Sequence, residues 1–251
     1  MANIIPMAGA GSRFAQKGYS LPKPLIPVAG LPMIVRVIRN MPKSDKWIFI
    51  VRQEHIDQYQ MDNIIRQEVK NAIILPVPKI TEGQAITCLL AKDHLSQEEP
   101  IFIAACDNTY RYNTSKFESL KNDASVDCVV FTITKMEHMR RMAQSLGWAK
   151  LDDDQETIIG MSVKKPVSND PYFDHAVAAS FYFKKAGDYI QSTNLMVKEN
   201  YRINNEFYID ALPIFMDKLK KRSVIFDVRE FFSWGTPEEL DQYLRVQNRE
   251  E

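Results

Sequence analysis

Short apolar runs alternate with helix-periodic segments along the first half of the chain, and this alternation limits the folds that it can adopt. The runs that predict strands lie at residues 2–7, 47–51, 72–77, 101–105 and 126–134. The segments that predict helices lie at residues 31–41, 54–69, 84–95 and 117–122. Strands that alternate with helices favour a parallel sheet whose right-handed crossovers place helices on both faces. We therefore predict an α/β, Rossmann-like fold with a mostly parallel mixed sheet.

The second half of the chain changes character. Residues 147–151 and 157–163 flank the acidic turn Asp152-Asp153-Asp154 and predict a β-hairpin. Further strands are predicted at residues 176–183 and 224–228, and helices at 186–199, 206–219 and 237–247. Pro213 would kink the second of these helices, and Thr236 would cap the third. Because no linker rich in Gly, Pro or Ser separates the halves, residues 1–251 are predicted to form a single domain.

A glycine-rich loop follows the first predicted strand. It reads Gly9-x-Gly11-x-Arg13, and Pro22-Lys23-Pro24 comes shortly after it. Glycines let backbone N–H groups approach a phosphate closely, because no Cβ stands in the way. The arginine guanidinium offers a planar fork of donors to phosphate oxygens, and the prolines stiffen the backbone on both sides of the lysine. Together these features predict a polyphosphate site.

Two better-known glycine motifs fit this loop poorly. No Gly-Lys-Ser/Thr follows it, as a Walker A loop requires. Phe14 stands where a dinucleotide fingerprint has its third glycine, and Ala29 and Gly30 stand where its ribose-binding acid would fall. A plain surface turn is the remaining alternative, which Arg13 and the rigid Pro-Lys-Pro segment disfavour.

Composition argues against several other classes of protein. The 32 basic and 32 acidic residues give a formal net charge of zero, so no global basic field points to nucleic acid. No apolar run approaches the length that crosses a bilayer, and no basic region precedes the first apolar stretch, so neither a membrane partner nor a signal peptide is expected. Cys88, Cys106 and Cys128 have no metal-ligand spacing and indicate buried thiols of a cytoplasmic protein.

The glycine loop and the Pro-Lys-Pro segment together resemble the signature of nucleotidyltransferases that join a nucleoside triphosphate to a phosphorylated small molecule. These are the sugar-phosphate pyrophosphorylases and their cytidylyltransferase relatives. Later segments that resemble the family, in the same order, are Thr81-Glu82-Gly83-Gln84-Ala85, Gly147 to Pro166, Asn204 to Asp210 and Gly235-Thr236-Pro237-Glu238. The resemblance implies the nucleotide-diphospho-sugar transferase fold, with an NTP-binding half at residues 1–134 and an acceptor-binding half at residues 135–251.

The resemblance also implies residues that bind the nucleotide. Arg13 and Lys23 would be catalytic: Arg13 would hold the leaving β- and γ-phosphates, and Lys23 would bridge the α-phosphate and the acceptor phosphate. The residues implied in nucleotide binding are Ala8, Gly9, Ala10, Gly11, Ser12, Glu82, Gly83 and Gln84. Among them, Gly83 would permit close approach of the base.

A metal site is expected at Asp107, which ends an apolar strand. Magnesium typically binds one or two carboxylates together with substrate phosphates, and the resemblance implies Mg²⁺ at this aspartate. A turn-forming Asp-Asn pair is the alternative interpretation. Many family members carry a second aspartate just before Gly-Thr, where this chain has Ser233-Trp234. We consider Asp227 as a substitute for this second aspartate.

The acceptor is implied to contact Gly147, Lys165, Asn205 and Glu206. Lys164 stands where the family usually has an acidic residue, which hints at a more anionic acceptor. A solvated lysine is the equally weighted alternative for this position.

The resemblance implies that an NTP reacts with a sugar 1-phosphate or a similar phosphorylated molecule, with release of pyrophosphate. CTP is slightly favoured, and surface-polysaccharide biosynthesis (capsule or lipopolysaccharide) is the pathway by analogy. Cytidylyltransferases that act on phosphoglutamine or phosphocholine are an alternative.

Two further classes remain open, a non-catalytic nucleotide-binding module and a glycosyltransferase. The second usually has two acids one residue apart, whereas Asp107 is followed by Asn108 and Thr109. A homodimer is also kept open.

Overall fold

The computed structural model describes residues 1–247 of the 251. The strands are β1 (Ala2–Met7), β2 (Pro27–Val28), β3 (Leu31–Pro32), β4 (Lys46–Arg52), β5 (Ile73–Val77), β6 (Ile101–Ala104), β7 (Asn108–Arg111), β8 (Cys128–Ile133), β9 (Gly147–Leu151), β10 (Ile158–Val163), β11 (His175–Phe183), β12 (Ser223–Asp227) and β13 (Glu230–Ser233). The α-helices are α1 (Ser12–Gln16), α2 (Met33–Asn40), α3 (Gln53–Tyr59), α4 (Met61–Glu68), α5 (Gln84–Leu89), α6 (Thr114–Asn122), α7 (His138–Met142), α8 (Ala186–Lys198), α9 (Leu212–Lys218) and α10 (Pro237–Gln247). Short 3₁₀ helices lie at Lys23–Leu25, Lys92–His94 and Ile209–Ala211.

A nine-stranded sheet forms the centre of the molecule. β6, β1, β4 and β5 are parallel neighbours in that order, which confirms the predicted α/β class. Alternate side chains of β1 point to opposite faces of this sheet, as the strand period requires. Ile4 packs into one apolar layer and Ile5 into the other, and both are fully buried. This two-sided burial explains why β1 reads as a continuous apolar run rather than an alternating one.

β11 joins the two halves of the chain. It runs antiparallel to β6 on one side and to β8 on the other, and β12 lies parallel to β8 beyond it. The first two residues of β11 also pair with β9, past the point where β6 ends. The predicted β9–β10 hairpin is confirmed. It therefore extends beyond the carboxyl edge of the parallel strands and lies beside that edge.

A two-stranded ribbon that the sequence did not predict lies next to the same edge. β7 pairs antiparallel with β13, and Ser233 lies opposite Asn108. Just beyond this pair, the Trp234 N–H donates to the Asp107 carbonyl at 2.8 Å. The ribbon ties the segment after β6 to the segment before α10, although the two are distant in sequence.

Three predicted helices differ from those observed. The one expected at residues 54–69 is broken into α3 and α4 at Gln60, whose φ of 51° is left-handed. The one expected at 84–95 ends as an α-helix at Leu89. The one expected at 206–219 begins only at Leu212, so Pro213 lies in its first turn, where its missing N–H costs nothing, and no kink results.

The cap predicted for the last helix is confirmed. The Glu239 N–H donates to Thr236 Oγ1 at 3.2 Å, and the Thr236 N–H donates to Glu239 Oε2 at 2.9 Å. This reciprocal pair is a capping box, which satisfies two backbone donors at once.

None of the helices within residues 1–247 combines the length and the apolar character that a membrane span would need.

Candidate functional site

A cleft opens at the carboxyl ends of β1 and β6, where ligands bind in open α/β sheets. It encloses about 780 Å³ of space, including its open mouth. Its lining consists of Pro6, Met7, Ala8, Gly9, Gly11, Lys23, Pro24, Ile80, Thr81, Gly83, Gln84, Thr87, Ala105, Cys106, Asp107 and Glu206. The glycine loop, the loop before α5 and Asp107 thus converge at one edge, as their positions after the strands had predicted.

The glycine loop forms one side of this cleft. A Cβ on Gly9 would meet nothing within 4 Å, so this residue leaves its side of the cleft open. Gly11 precedes α1 with a φ of +60°, a left-handed conformation that glycine adopts without strain. Ala8 also lines the cleft, whereas Ala10 and Ser12 are exposed beside it. The first N–H groups of α1 have no partner within the helix and are available to an anion.

Lys23 lies at the centre of the site. Its 3₁₀ turn is closed by the Leu25 N–H, which donates to the Pro22 carbonyl at 2.8 Å. Its Nζ donates to Asp107 Oδ2 at 2.5 Å and to the Gly235 carbonyl at 3.0 Å. Burial is the largest influence on its pKa and lowers it, but the Asp107 carboxylate outweighs burial, and the net pKa is raised. Lys23 is therefore a fixed positive charge at neutral pH.

Arg13 is exposed at the mouth of the cleft, in the first turn of α1. Within residues 1–247 it has no ion pair. Its positive charge nevertheless acts on both sides of the site, because it lowers the pKa of Lys23 and opposes the rise in the pKa of Tyr208. That rise is caused first by burial and then by the hydrogen bond to Glu206. Arg13 is thus an exposed cation near both Lys23 and Tyr208.

Asp107 offers a carboxylate that suits a hard cation. One oxygen contacts Lys23, and the other is 3.5 Å from the Asn108 side-chain amide, at the limit of a hydrogen bond. Within the described residues no three His, Cys, Asp or Glu side chains form a metal-binding group. The donor set therefore fits a magnesium ion that takes most of its ligands from substrate phosphates and water.

The structure does not bring Asp227 to this carboxylate, which corrects the suggestion that it replaces a second ligand. Asp227 ends β12, and β8 and β11 separate β12 from β6. Three strand spacings amount to about 14 Å. Moreover, Asp227 Oδ1 is 2.7 Å from Thr132 Oγ1, which donates to it, and 2.9 Å from His175 Nδ1. Its carboxylate belongs to that separate cluster.

The loop before α5 is fixed by a segment far along the chain. The Phe207 N–H donates to the Glu82 carbonyl at 2.8 Å, and the Ala85 N–H donates to the Phe207 carbonyl at 3.1 Å. A Cβ on Gly83 would lie 2.5 Å from the Phe207 carbonyl oxygen. In the structure this glycine permits the close approach of the Phe207 backbone, and the approach of a base stays a prediction.

The neighbours of Gly83 have different environments. Gln84 lines the cleft with an exposed side chain. The Glu82 carboxylate instead accepts from the Arg202 guanidinium, which stacks on the Phe207 ring at 4.0 Å. Glu82 is thus absent from the lining of the cleft, and both its carbonyl and its carboxylate hold the loop to the segment around Phe207.

Glu206 lines the cleft on the side opposite the glycine loop. Ile203 and Glu206 exchange two backbone hydrogen bonds of 3.0 Å across a tight turn. Asn204 and Asn205 occupy the corners of this turn with φ of 49° and 63°, the arrangement that favours asparagine. The turn exposes Asn205 and directs Glu206 inward, where its carboxylate accepts from the Tyr208 hydroxyl at 2.5 Å.

Gly147 is buried against Asp210. A Cβ on this glycine would lie 2.4 Å from Asp210 Oδ2, so only glycine fits. Burial raises the pKa of Asp210 to about 6, and the nearby Lys164 charge partly opposes this rise. Lys164 follows β10 in a left-handed conformation, and its Nζ lies 4.7 Å from the centre of the Tyr208 ring. Lys165 is exposed next to it.

Two groups that contribute to this site were not predicted from the sequence. The Gly235 carbonyl holds Lys23, and the Tyr208 hydroxyl holds Glu206. The first belongs to a recognisable Gly-Thr-Pro segment, but a backbone acceptor leaves no mark in a sequence. The second could have been suspected, because Tyr208 lies two residues from Glu206 and carries the one hydroxyl between Phe207 and Ile209.

A cation-bearing glycine loop beside an aspartate, at the carboxyl edge of a parallel sheet, is typical of enzymes that bind nucleotide phosphates. The chain matches the model of the family named nucleotidyl transferase over residues 2–239, and it belongs to this family. Its enzyme class is therefore that of the nucleotidyltransferases.

Three individual proteins illustrate the relationship. The bifunctional protein GlmU of Methanococcus aeolicus is 30% identical over 97 residues, which cover 38% of this chain and 22% of that relative. A nucleoside-diphosphate-sugar pyrophosphorylase from Vibrio cholerae RC9 has a TM-score of 0.75 and 20% identity, over 97% of this chain and 99% of that one. An inositol-1-phosphate CTP transferase from T. maritima has a TM-score of 0.73 and 12% identity, over 100% and 96%. The two structures show a shared fold.

Proposed function

We propose that this protein joins a nucleoside triphosphate to a phosphorylated small molecule and releases pyrophosphate. The observation that carries the proposal is the position of Lys23. Its Nζ is held by Asp107 and by the Gly235 carbonyl, beside the open Gly9–Gly11 loop at the carboxyl edge of the sheet. A fixed cation there can contact the phosphorus that is attacked and the phosphate that attacks it.

The chemistry asks little of a general base, because the nucleophile is already an anion. An acceptor phosphate oxygen forms a bond to the α-phosphorus in line, and the bond from that phosphorus to the bridging β-oxygen breaks as pyrophosphate leaves. Positioning and charge stabilisation supply the rate. Lys23 would bridge the α-phosphate and the acceptor phosphate, and Arg13 would hold the leaving β- and γ-phosphates. The backbone N–H groups of residues 10–12 would complete the cradle.

Asp107 would hold the magnesium ion. When bound, the ion supplies positive charge that offsets the negative charge developing on the phosphate oxygens. Because Asp107 already holds Lys23, the same carboxylate would align the metal and the lysine on one phosphate group. This arrangement requires the 2.5 Å contact to relax as the nucleotide binds.

The acceptor would lie between the β9–β10 hairpin and the turn at Glu206. Lys165 is an exposed cation that can meet the acceptor phosphate, and Glu206 can accept from acceptor hydroxyl or amine groups. Asn205 would contribute at the rim, and the Gly147 backbone would form the floor over Asp210. Sugar 1-phosphates are the acceptor class that we propose first.

Lys164 favours a second candidate within the same class. Its ammonium lies against the Tyr208 ring, on the side of the cleft that the acceptor would occupy. A phosphorylated acceptor with a further anionic group, such as phosphoglutamine, would match this cation. We therefore propose a cytidylyltransferase as the specific form of this enzyme. We further propose that it acts in surface-polysaccharide biosynthesis, in the cytoplasm and as a homodimer.

A thermal-shift panel of CTP, UTP, dTTP, GTP and ATP, each with magnesium, tests the proposal first. A ligand at about 100 times its dissociation constant adds about 2.7 kcal/mol to the free energy of unfolding, which is a clear shift in melting temperature. We expect one triphosphate, with CTP the first candidate, to exceed the others. Asp107→Asn should remove the magnesium-dependent part of that shift.

The preferred nucleotide then enters an acceptor screen that measures pyrophosphate release. Release that depends on a phosphorylated acceptor would support the proposal. If a triphosphate binds but no acceptor yields pyrophosphate, the protein is a nucleotide-binding module. If no triphosphate raises the melting temperature, the assignment of the glycine loop as a phosphate site is wrong.

A further inference from the structure

A second cavity lies between β13 and α10, behind the cleft. It encloses about 620 Å³ of space, open solvent at its mouth included. Its lining consists of His138, Phe231, Phe232, Ser233, Glu239, Gln242, Tyr243, Val246 and Gln247. None of these residues has a role in the proposed reaction, so the cavity needs an explanation of its own.

The lining combines aromatic rings with one carboxylate. Phe231, Phe232 and Tyr243 supply the rings, and the centres of Phe232 and Tyr243 are 5.6 Å apart in an edge-to-face arrangement. Glu239 Oε1 is buried and has no hydrogen-bond partner among residues 1–247. A buried carboxylate oxygen without a donor is costly, so it indicates a missing ligand that is a donor or a cation.

His138 is compatible with such a ligand. Its ring is stacked parallel to Phe231 at 6.2 Å, and its Nε2 is also buried and unpaired within the described chain. Burial lowers its pKa, and the nearby Arg141 lowers it further, so the ring is neutral at pH 7 and does not repel a cation. Among residues 1–247, no lysine or arginine lines the cavity, which disfavours phosphates and nucleotides as its ligand.

One turn links the second cavity to Lys23. This turn consists of residues 233–236, with Ser233 in the lining of the cavity and Thr236 at the start of α10. On the cleft side, the Gly235 carbonyl accepts from Lys23 Nζ. On the cavity side, the Glu239 carboxylate accepts from the Thr236 N–H through Oε2. The carboxylate that holds this turn therefore belongs to a residue that also lines the cavity.

We propose that the second cavity binds a small organic ammonium ion, and that the bound ion acts through the 233–236 turn on the position of Lys23. Aromatic faces and a carboxylate are the groups that recognise such cations. The ion pairs with the Glu239 carboxylate and changes the hold of its Oε2 on Thr236. Since Gly235 precedes Thr236, the acceptor that fixes Lys23 shifts with it. The cavity is thus a regulatory site.

Choline is a suitable probe, with 3,3-dimethylbutan-1-ol as its neutral isostere. Calorimetric titration of the full-length protein without nucleotide should show choline binding, at least tenfold tighter than the isostere. Glu239→Gln should weaken choline at least tenfold. Glu238→Gln is the matched control, because this neighbouring carboxylate is exposed and pairs with Lys17 on the surface. Its affinity for choline should equal that of the unmodified protein.

The effect on the cleft is read by NMR from the side-chain nitrogen signal of Lys23. We expect this signal to move during the choline titration, and to stay in place in Glu239→Gln. A choline affinity that falls in Glu206→Gln instead would assign the binding to the acceptor cleft and overturn the proposal. Absence of choline binding, or equal affinity for the isostere, overturns it too, and an immobile Lys23 signal overturns its regulatory part. None of these readouts requires that a nucleotide bind, so failure of the nucleotide panel leaves them intact.

Discussion

Lys23 shows how one side chain can collect contacts from three parts of the chain. Its ammonium contacts Asp107, 84 residues away, and the Gly235 carbonyl, 212 residues away, and it lies over the Phe14 ring at 5.6 Å. The prolines on both sides limit the conformations of its backbone, so little entropy is lost when these contacts form. A residue so constrained can act on a substrate with a fixed geometry.

Replacement of Lys23 by alanine should therefore lower turnover by roughly 10²–10³-fold, the range measured when a preorganised donor to a transition state is removed. Pyrophosphate release under saturating substrates is the measurement. Lys17→Ala is the matched control, since Lys17 follows the same loop but forms an exposed pair with Glu238. Near-normal turnover in a folded Lys23→Ala protein would remove this residue from the proposed mechanism.

Asp210 allows a prediction of stability against pH. Burial raises its pKa from the ordinary value of 3.8 to about 6 in the folded protein. The folded state therefore holds the proton more tightly than the unfolded state, and the protonated group stabilises the fold below about pH 4. This contribution is lost as the pH rises from about 4 to 6.

Asp210→Asn keeps the shape of the side chain and removes its titration. The variant should gain roughly 1–3 kcal/mol relative to the unmodified protein between pH 4 and pH 7. Urea denaturation at several pH values measures the difference in unfolding free energy between the two proteins. All other carboxylates titrate alike in both, so their contributions cancel. A difference that is flat over this range would show that the carboxylate is solvated and not buried against Gly147.

At the scale of elements, the cap of α10 helps to position Lys23 in the cleft. Its capping box fixes the Thr236 backbone, and the preceding Gly235 carbonyl fixes Lys23. The β7–β13 ribbon holds the same turn from the other side, through the bond from the Trp234 N–H to the Asp107 carbonyl. A helix terminus and a two-stranded ribbon together thus set one wall of the cleft.

Thr236→Ala should cost about 1 kcal/mol of unfolding free energy, the usual effect of losing an N-cap. It should also reduce the thermal shift produced by the preferred nucleotide, because the acceptor of Lys23 is less well fixed. Asn113→Ala is the control: Asn113 caps α6 by accepting from the Lys116 N–H at 3.1 Å, away from the cleft. It should lower stability by a similar amount and leave the nucleotide shift unchanged. Equal nucleotide shifts in both variants would contradict the link between α10 and Lys23.

At the scale of the whole molecule, the two halves of the chain share one sheet. β6 and β8 both belong to residues 1–134, yet they pair with β11 and not with each other. β12 completes the pairing of β8 from the far end of the chain. Residues 1–134 therefore lack β11, the strand that joins β8 to the parallel strands.

We expect a fragment of residues 1–134 to lack a cooperative unfolding transition, because β8 would lose both neighbours and expose a fully buried apolar strand. Urea denaturation followed by far-UV circular dichroism measures this. Mixing it with a fragment of residues 135–251 should restore part of the transition. A cooperative transition of the first fragment alone would show that the halves are independent domains.

The sequence predicted the parallel core and the convergence of three loops well, because both depend on local patterns. Continuous apolar runs identified β1, β4, β5 and β6 to within a residue or two. The β7–β13 ribbon was missed because its strands are short and polar and pair across a large sequence separation. The break at Gln60 was missed because a left-handed glutamine is unusual and the helical period continues across it.

Among site residues, too, local features could be predicted from the sequence, whereas contacts between distant segments could not. The conformation of Gly11 follows from its loop, whereas the reason for Gly83 is a backbone atom of Phe207, more than a hundred residues later. Asp227 was considered as a substitute for a second carboxylate near Asp107, but the order of strands in the sheet separates the two. The roles of Arg13, Lys23, Glu206 and their neighbours in substrate binding stay predictions.

The sequence by itself determined the α/β class, the glycine loop and the edge of the sheet at which the cleft opens. These properties depend on hydrophobic period and on the conformational range of single residues, which neighbours in sequence suffice to specify. Only the tertiary structure decided that Lys23 joins Asp107 to Gly235, that Phe207 requires Gly83, and that Glu239 both caps α10 and lines a second cavity. Such contacts depend on strand order and on the path of the connections, which local patterns leave open, and they form only when distant segments pack on one core.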